Sequence, residues 1–251
     1  MPWSHLPALL TTAFLPLAHW LQKRSAARLP RRLVGLLFAQ GRRTVTSWCR
    51  AGGIADDYRP AYATVAAVGR QATPLAVSAR CAVAPLLPGP RLRLAIDATP
   101  TPRYGPEVEG AGIHPHPSPG PAGAKHVSGH VWVPLAALAS HPEWDSVALP
   151  VPAQLDIRQA DRDDLPPHRR RPFRTQPEIA AEQLAWAKTW IGRRFGELGA
   201  RVDGAYAKRP FLRPARQLGG TVVSRLRQDA ALGSVPVPVA PERRGPGRPP
   251  T

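Results

Sequence analysis

The spacing of apolar residues changes near residue 90, and the change divides the chain. Before it, apolar positions recur at helical intervals: one segment to about Lys23, a second over residues 31–40, a break at Gly41, and a third over 43–51 stopped by Gly52 and Gly53. Val45, Trp48 and Cys49 share one face of the third. A short helix, a glycine break and a second helix opening with Gly41-Arg-Arg-Thr-Val-Thr-Ser47 fit a helix-turn-helix, and they fit a plain helical hairpin as well. From Arg91 the period becomes two: Leu92, Leu94 and Ile96 line one face, and Asp97 arrives at the strand's end.

Residues 99–123 are crowded with proline and glycine and predict a long loop. Two further apolar strands follow over 127–139 and 146–155, separated by a turn at His141-Pro-Glu143. A charged connection over 156–174 leads to Thr175-Gln-Pro-Glu178, a capping-box pattern that opens a helix through Ile179, Leu184, Ala187, Trp190 and Ile191. Residues 201–207 predict a fourth strand, 209–218 a short helix and 221–226 a fifth strand. The proline-rich tail, 235–251, predicts no regular structure.

Three strands, helix, strand, helix, strand is the element order of an α/β fold with an RNase H-like mixed sheet, here preceded by a small helical region. In that arrangement the helix carries the chain across so that strand four lies beside strand one. Asp97, at the end of strand one, and Asp203, in strand four, would then stand side by side at the ~4.8 Å spacing of neighbouring strands. Two carboxylates so placed can bridge divalent ions, which lie roughly 3.5–4 Å apart in two-metal sites. The expected division is 1–88 as a helical region with a DNA-binding role, 89–234 as the catalytic domain and 235–251 as a tail.

Charge narrows the partner. Of the 251 residues, 34 are Lys or Arg and 17 are Asp or Glu, so the chain carries +17 and favours a polyanion. Residues 1–90 hold 11 basic and 2 acidic side chains, 91–200 hold 13 and 12, and 201–251 hold 10 and 3. A neutral middle between basic ends is unlike a uniform compositional bias. Cys49 and Cys81 are too isolated for a disulfide framework and point to a reducing cytosol. The apolar run over 6–21 is interrupted by Pro16 and His19, falls short of roughly 18 uninterrupted residues, and reads as a core helix rather than a membrane span.

Leu94-Ala-Ile-Asp-Ala-Thr-Pro-Thr-Pro-Arg-Tyr-Gly-Pro106, Glu109-Gly-Ala-Gly-Ile-His114, Pro119-Gly-Pro-Ala-Gly-Ala-Lys125 and Gly129-His-Val-Trp132 resemble the DDE superfamily endonuclease type of transposase found in bacterial insertion sequences. Gly41-Arg-Arg-Thr-Val-Thr-Ser-Trp48, Asp203-Gly-Ala-Tyr-Ala-Lys-Arg-Pro-Phe211 and Val222-Val-Ser-Arg-Leu-Arg227 extend the likeness over about residues 31–232. The resemblance implies metal-dependent hydrolysis of a DNA phosphodiester followed by strand transfer of the freed 3′ end, with Asp97 and Asp203 as the first two catalytic acids and metal ligands. Carboxylate oxygens and water positions suit Mg2+ or Mn2+. Where members often carry Ile-Asp-Asp-Thr, this chain has Ile96-Asp97-Ala98-Thr99. Asp97 is favoured as the ligand because the end of an alternating strand opens on that side, and a requirement for an acid at 98 would leave the site dead.

The resemblance places the third acid, a glutamate, on a helix beyond the fifth strand. Asp229 and Glu242 follow Asp203, and neither falls in a helical pattern, so the expectation is a C-terminally truncated copy that does not complete cleavage alone. A missing helix would also leave apolar side chains of strands one, four and five uncovered and lower solubility. Arg42, Arg43, Arg103, Lys125, Lys208, Arg209 and Arg213 are the candidate DNA contacts, by their place near the helical break, the loop after strand one and the helix after Asp203. Gly245-Pro-Gly-Arg-Pro-Pro250 lacks the leading arginine of a minor-groove hook and reads as a basic linker. His114, His116, His126 and His130 lack paired ligand spacing, which favours structural or substrate-side roles over zinc. The expected partner is double-stranded DNA, at inverted-repeat ends and target, with a homodimer as a further option, no membrane, and a cytoplasmic, nucleoid-associated location.

Overall fold

The structure is a computed structural model that describes residues 16–41, 44–55, 57–105, 108–115, 123 and 125–225. Its strands in chain order are β1 (Arg91–Ile96), β2 (Thr99–Pro102), β3 (Gly112–Pro115), β4 (His126–His141), β5 (Asp145–Asp156), β6 (Glu197–Val202) and β7 (Gly220–Ser224). Its helices are α1 (Lys23–Phe38), α2 (Val45–Ala51), α3 (Arg59–Arg70), α4 (Ala72–Val83), α5 (Gln176–Trp190) and α6 (Arg209–Gln217).

The period-two pattern of β1 becomes a two-faced strand, with Leu92, Leu94 and Ile96 buried and Arg91 and Arg93 exposed. β4 repeats this over 16 residues and buries Val131, Val133, Leu135, Ala137 and Ala139. Ala136 and Ala137 of β4 pair antiparallel with β1 on one side and with β5 on the other. β6 runs parallel along the free edge of β1, and β7 runs parallel to β6. The order β5-β4-β1-β6-β7 is that of an RNase H-like mixed sheet. The chain turns from β4 into β5 within residues 142–144, and helices α5 and α6 carry it through the parallel half.

Helix α5 covers the apolar face. Ile179, Ala180, Leu184 and Ala187 meet the buried side chains of β1, β4 and β6, and Phe211 and Ala215 of α6 join the same core. Full burial of a leucine such as Leu92, Leu94, Leu135 or Leu184 contributes about 1.5–3 kcal/mol each. Gln183, buried in this layer, donates from Nε2 to the Val133 carbonyl at 2.6 Å and ties α5 to β4. At its start the Glu178 carboxylate accepts from Thr175 N at 2.7 Å and from Thr175 Oγ1 at 2.8 Å, as the capping pattern predicts. Among the helices before β1, α4 meets α5 where Arg80 Nη1 donates to the Trp190 carbonyl at 2.8 Å and its guanidinium lies 5.5 Å from the Trp190 ring.

Several expectations need correction. The segment over 99–123 is not loop throughout, because β2 and β3 pair with β4 inside it. Pro100 and Pro102 are tolerated because β2 is an edge strand. Thr99, Thr101 and Arg103 alternate toward β4, and Arg103 N donates to the Ser128 carbonyl at 3.0 Å, so the prolines' missing donors fall on the open side. Strand four spans 197–202 rather than 201–207: Asp203 accepts from Gly204 N at 2.6 Å and starts a 3-10 turn over Gly204–Tyr206, a local bond that competes with continued pairing. Strand five ends at Ser224. Helix α1 begins eight residues before position 31 and runs through Pro30, because packing of Leu29, Val34 and Gly35 outweighs one lost backbone donor. The face of β1 and β6 opposite α5 is not apolar: it carries Arg91, Arg93, Glu197 and Arg201, with an ion pair between Arg91 and Glu197. None of the described helices is long and apolar enough to cross a membrane.

Candidate functional site

The site begins with a register. β1 and β6 pair in parallel from Arg91↔Glu197 to Ile96↔Val202, and the next residue on each chain segment is an aspartate. Asp97 and Asp203 therefore stand beside each other at the C-terminal ends of neighbouring parallel strands, where ligands bind in open α/β sheets. Both acids are exposed. Asp97 Oδ1 accepts from Ala98 N at 2.7 Å and Asp203 Oδ1 accepts from Gly204 N at 2.6 Å. Each carboxylate is aimed by the backbone of the residue after it, and each keeps its Oδ2 for another partner.

Two residues beside the pair carry no mark in the sequence pattern. Asp156 closes β5, is 9% exposed, and accepts from Gln176 Nε2 at 2.7 Å in the first turn of α5. Tyr206 ends the turn that Asp203 caps and is 1% exposed, its ring set edge-on to Phe211 at 6.4 Å. Burial first, then the charges of Asp97, Asp156 and Asp203, push the Tyr206 phenol well above its ordinary value, so it stays a neutral donor. The only sequence signal for it is its place three residues after Asp203 in Asp-Gly-Ala-Tyr.

The remaining candidates do not gather at the pair. Arg103 lies just past β2 and Lys125 just before β4, and both are exposed. Lys208, Arg209 and Arg213 are exposed at the start and on the outer side of α6, and Arg216 continues the same side. Arg42 and Arg43 lie outside the described residues, as do His116, Asp229 and Glu242. Of the histidines, His114 is buried against β4, where burial holds its imidazole below the ordinary value against the opposing pull of Asp156 and Asp161. His130 Nε2 lies 3.0 Å from the Glu109 carbonyl oxygen, and His126 is exposed. A cavity of about 710 Å³ opens between α4, β5 and α5, lined by Ala76, Val151, Phe173 and Trp186 among others, and neither Asp97 nor Asp203 reaches it.

Among the described residues no group of three His, Cys, Asp or Glu side chains is placed to hold a metal ion, so Asp156 does not complete a cage with the pair. Two hard carboxylates with free oxygens still fit the protein's share of a magnesium-like site, which takes one or two carboxylates and fills the rest with water and phosphate.

An RNase H-like sheet that brings two carboxylates together at the ends of its central parallel strands defines a class: nucleases and strand-transfer enzymes that act with divalent metal ions. The sequence profile of the DDE superfamily endonuclease family matches residues 16–251, and the chain belongs to that family. Its members cleave DNA with divalent metals. No curated protein is a significant match to the chain.

Proposed function

We propose that the chain is a DNA transposase of the insertion-sequence type, in which Asp97 and Asp203 hold Mg2+ or Mn2+ for phosphodiester hydrolysis and strand transfer. The observation that carries this reading is the parallel register that makes the two aspartates neighbours. When bound, the metal would activate the attacking hydroxyl and stabilise charge on the leaving 3′ oxygen. The chain's own part is to hold two carboxylates in fixed orientation through the Ala98 and Gly204 amides. Arg103, Lys125, Lys208, Arg209 and Arg213, with Arg42 and Arg43, are assigned to the phosphates of duplex DNA. Residues 1–88 would serve as a helical DNA-binding region and 89–234 as the catalytic domain, in a cytoplasmic, nucleoid-associated protein able to form a homodimer.

Among the described residues two acids stand together where this chemistry uses three, and Asp229 and Glu242 lie outside them; the chain is expected to bind Mn2+ and DNA, and cleavage depends on a third acid. The alternative is a DNA-binding remnant without catalysis. With supercoiled plasmid, Mn2+ should strengthen binding by the wild type, and Asp203→Asn, which keeps an oxygen for Gly204 N but removes the charge, should lose that effect with its melting temperature unchanged. Binding that ignores Mn2+ in both proteins would favour the remnant. Robust nicking that disappears in Asp97→Ala would mean that a further acid completes the site.

A further inference from the structure

One face of the sheet is open among the described residues. Helices α5 and α6 pack on the side of Leu92, Leu94, Ala200 and Val202, while Arg91, Arg93, Glu197, Arg201 and Thr221 on the other side are exposed. Parallel strands are ordinarily buried on both faces, so an open, charged face on the parallel half calls for a polar cover. The register sorts this face into rows. Asp97 and Asp203 form the first, one position beyond Ile96↔Val202. Behind them Ala136, Ala95, Arg201 and Val223 lie abreast on β4, β1, β6 and β7. Arg93, Gly199 and Thr221 make the next row, and Arg91 and Glu197 close the series as an ion pair. At about 3.3 Å per residue along the strands, Arg201 sits roughly 6.6 Å from the acid row and Arg93 roughly 13 Å. Arg91 is neutralised by Glu197, whereas among the described residues no carboxylate pairs with Arg93 or Arg201. The floor between these two arginines is low: Ala95 and Ala136 are small, and a Cβ added at Gly199 would find nothing nearer than 3.9 Å.

We propose that this face carries one DNA strand, whose phosphates Arg201 and Arg93 hold as it leaves the Asp97–Asp203 pair along β6 and β1. Charge decides the occupant. Two carboxylates at one end of the face repel a phosphate strand, and two unpaired guanidiniums behind them offset that repulsion and offer forked N–H donors to phosphate oxygens. Residues 226–251 of the chain are a poor complement, because they hold four arginines and two acids. A second copy of a chain carrying +17 would set like charges together. An apolar helix laid here would leave both guanidiniums buried without a partner. The inference rests on the reading of the chain as acting on DNA at the aspartate pair.

The test uses the full chain and a fluorescent duplex oligonucleotide, with affinity measured by anisotropy across a salt series, with and without Mn2+. Arg93→Gln and Arg201→Gln should each lower the slope of log affinity against log salt by about 0.9, and together by about 2, at an unchanged melting temperature. Arg93→Lys with Arg201→Lys should keep the wild-type slope, which separates loss of charge from loss of fold. Arg193→Gln, which removes an exposed cation at the other end of β6, should keep it too. The double glutamine variant should still bind more tightly when Mn2+ is added, an effect that Asp203→Asn loses. If the wild type binds DNA and the double glutamine variant has the same slope, the face carries no DNA and the proposal is overturned, whether or not Mn2+ acts. An equal loss of slope in Arg193→Gln also overturns it, because the effect is then one of net charge and not of contact. A slope that falls as expected in a chain indifferent to Mn2+ upholds the strand on this face and rejects the metal pair. A wild-type chain that binds no DNA overturns both readings.

Discussion

Glu178 shows how a single side chain ties local sequence to stability. Its carboxylate accepts from the Thr175 backbone and hydroxyl, and these bonds, the backbone one first, hold its pKa below the ordinary glutamate value. A carboxyl depressed in the folded state stabilises above its unfolded value, and the benefit fades as pH falls through the folded value. Glu178→Gln should therefore lower the melting temperature at neutral pH, and the difference should close as both proteins are acidified below the ordinary glutamate range. An equal gap at all pH values would mean that the charge plays no part in the cap. This residue was legible in the sequence because a capping box needs only neighbours three positions apart. Asp97 was legible for the same reason, at the end of an alternating strand. Tyr206 and Asp156 were not: nothing within a few residues of either says which strands or helices will close over it.

At the scale of elements, close approach decides what periodicity leaves open. Helices α1 and α2 cross where Gly35 has no side chain, and a Cβ there would lie 1.9 Å from the Trp48 carbonyl oxygen. Gly35→Ala must push the helices apart, and overpacking of this kind costs about 1–3 kcal/mol. Urea denaturation should show an unfolding free energy lower by that amount, with the midpoint shifted down, and an unchanged midpoint would mean that the crossing yields freely. Gly129 plays a similar part in β4, flanked by β2 and β3, where a Cβ would meet the Thr101 carbonyl oxygen at 2.3 Å. Neither β2 nor β3 is visible from its own residues, since Thr-Pro-Thr-Pro reads as loop. Their pairing depends on the long β4, whose first residues lie later in the chain and offer one edge to β2 and the other to β3.

Across the whole molecule, the excess of positive charge sets how the chain meets DNA. Arg209, Arg213 and Arg216 project from one side of α6, and Lys208 precedes them. If these side chains contact phosphates, each contact releases counterions and contributes a slope of about 0.9 to the fall of log affinity with log salt. Arg209→Ala together with Arg213→Ala should then reduce that slope by about 2 and weaken binding to all sequences alike. A slope equal to that of the wild type would remove α6 from the DNA surface. The charged outer face of β1 and β6, where apolar residues had been expected, belongs to the same scale: Arg91, Arg93 and Arg201 face outward because Leu92, Leu94, Ala200 and Val202 face α5.

By itself the sequence determined the elements with strong local periodicity, namely β1, β4, β5, α5 and α6, together with their order and hence the RNase H-like class. It also marked two acids, and its family likeness joined them to one chemistry. Tertiary structure decided the register that sets Asp97 and Asp203, expected as neighbours from the element order, at matching strand ends, that β6 stops short of Asp203, that β2 and β3 are strands, and that the Tyr206 side chain is buried. The physical division is one of range. Period, caps and turns are set by residues within a few positions of each other, whereas register and burial are set by pairing between segments about 100 residues apart, as in Leu94↔Ala200.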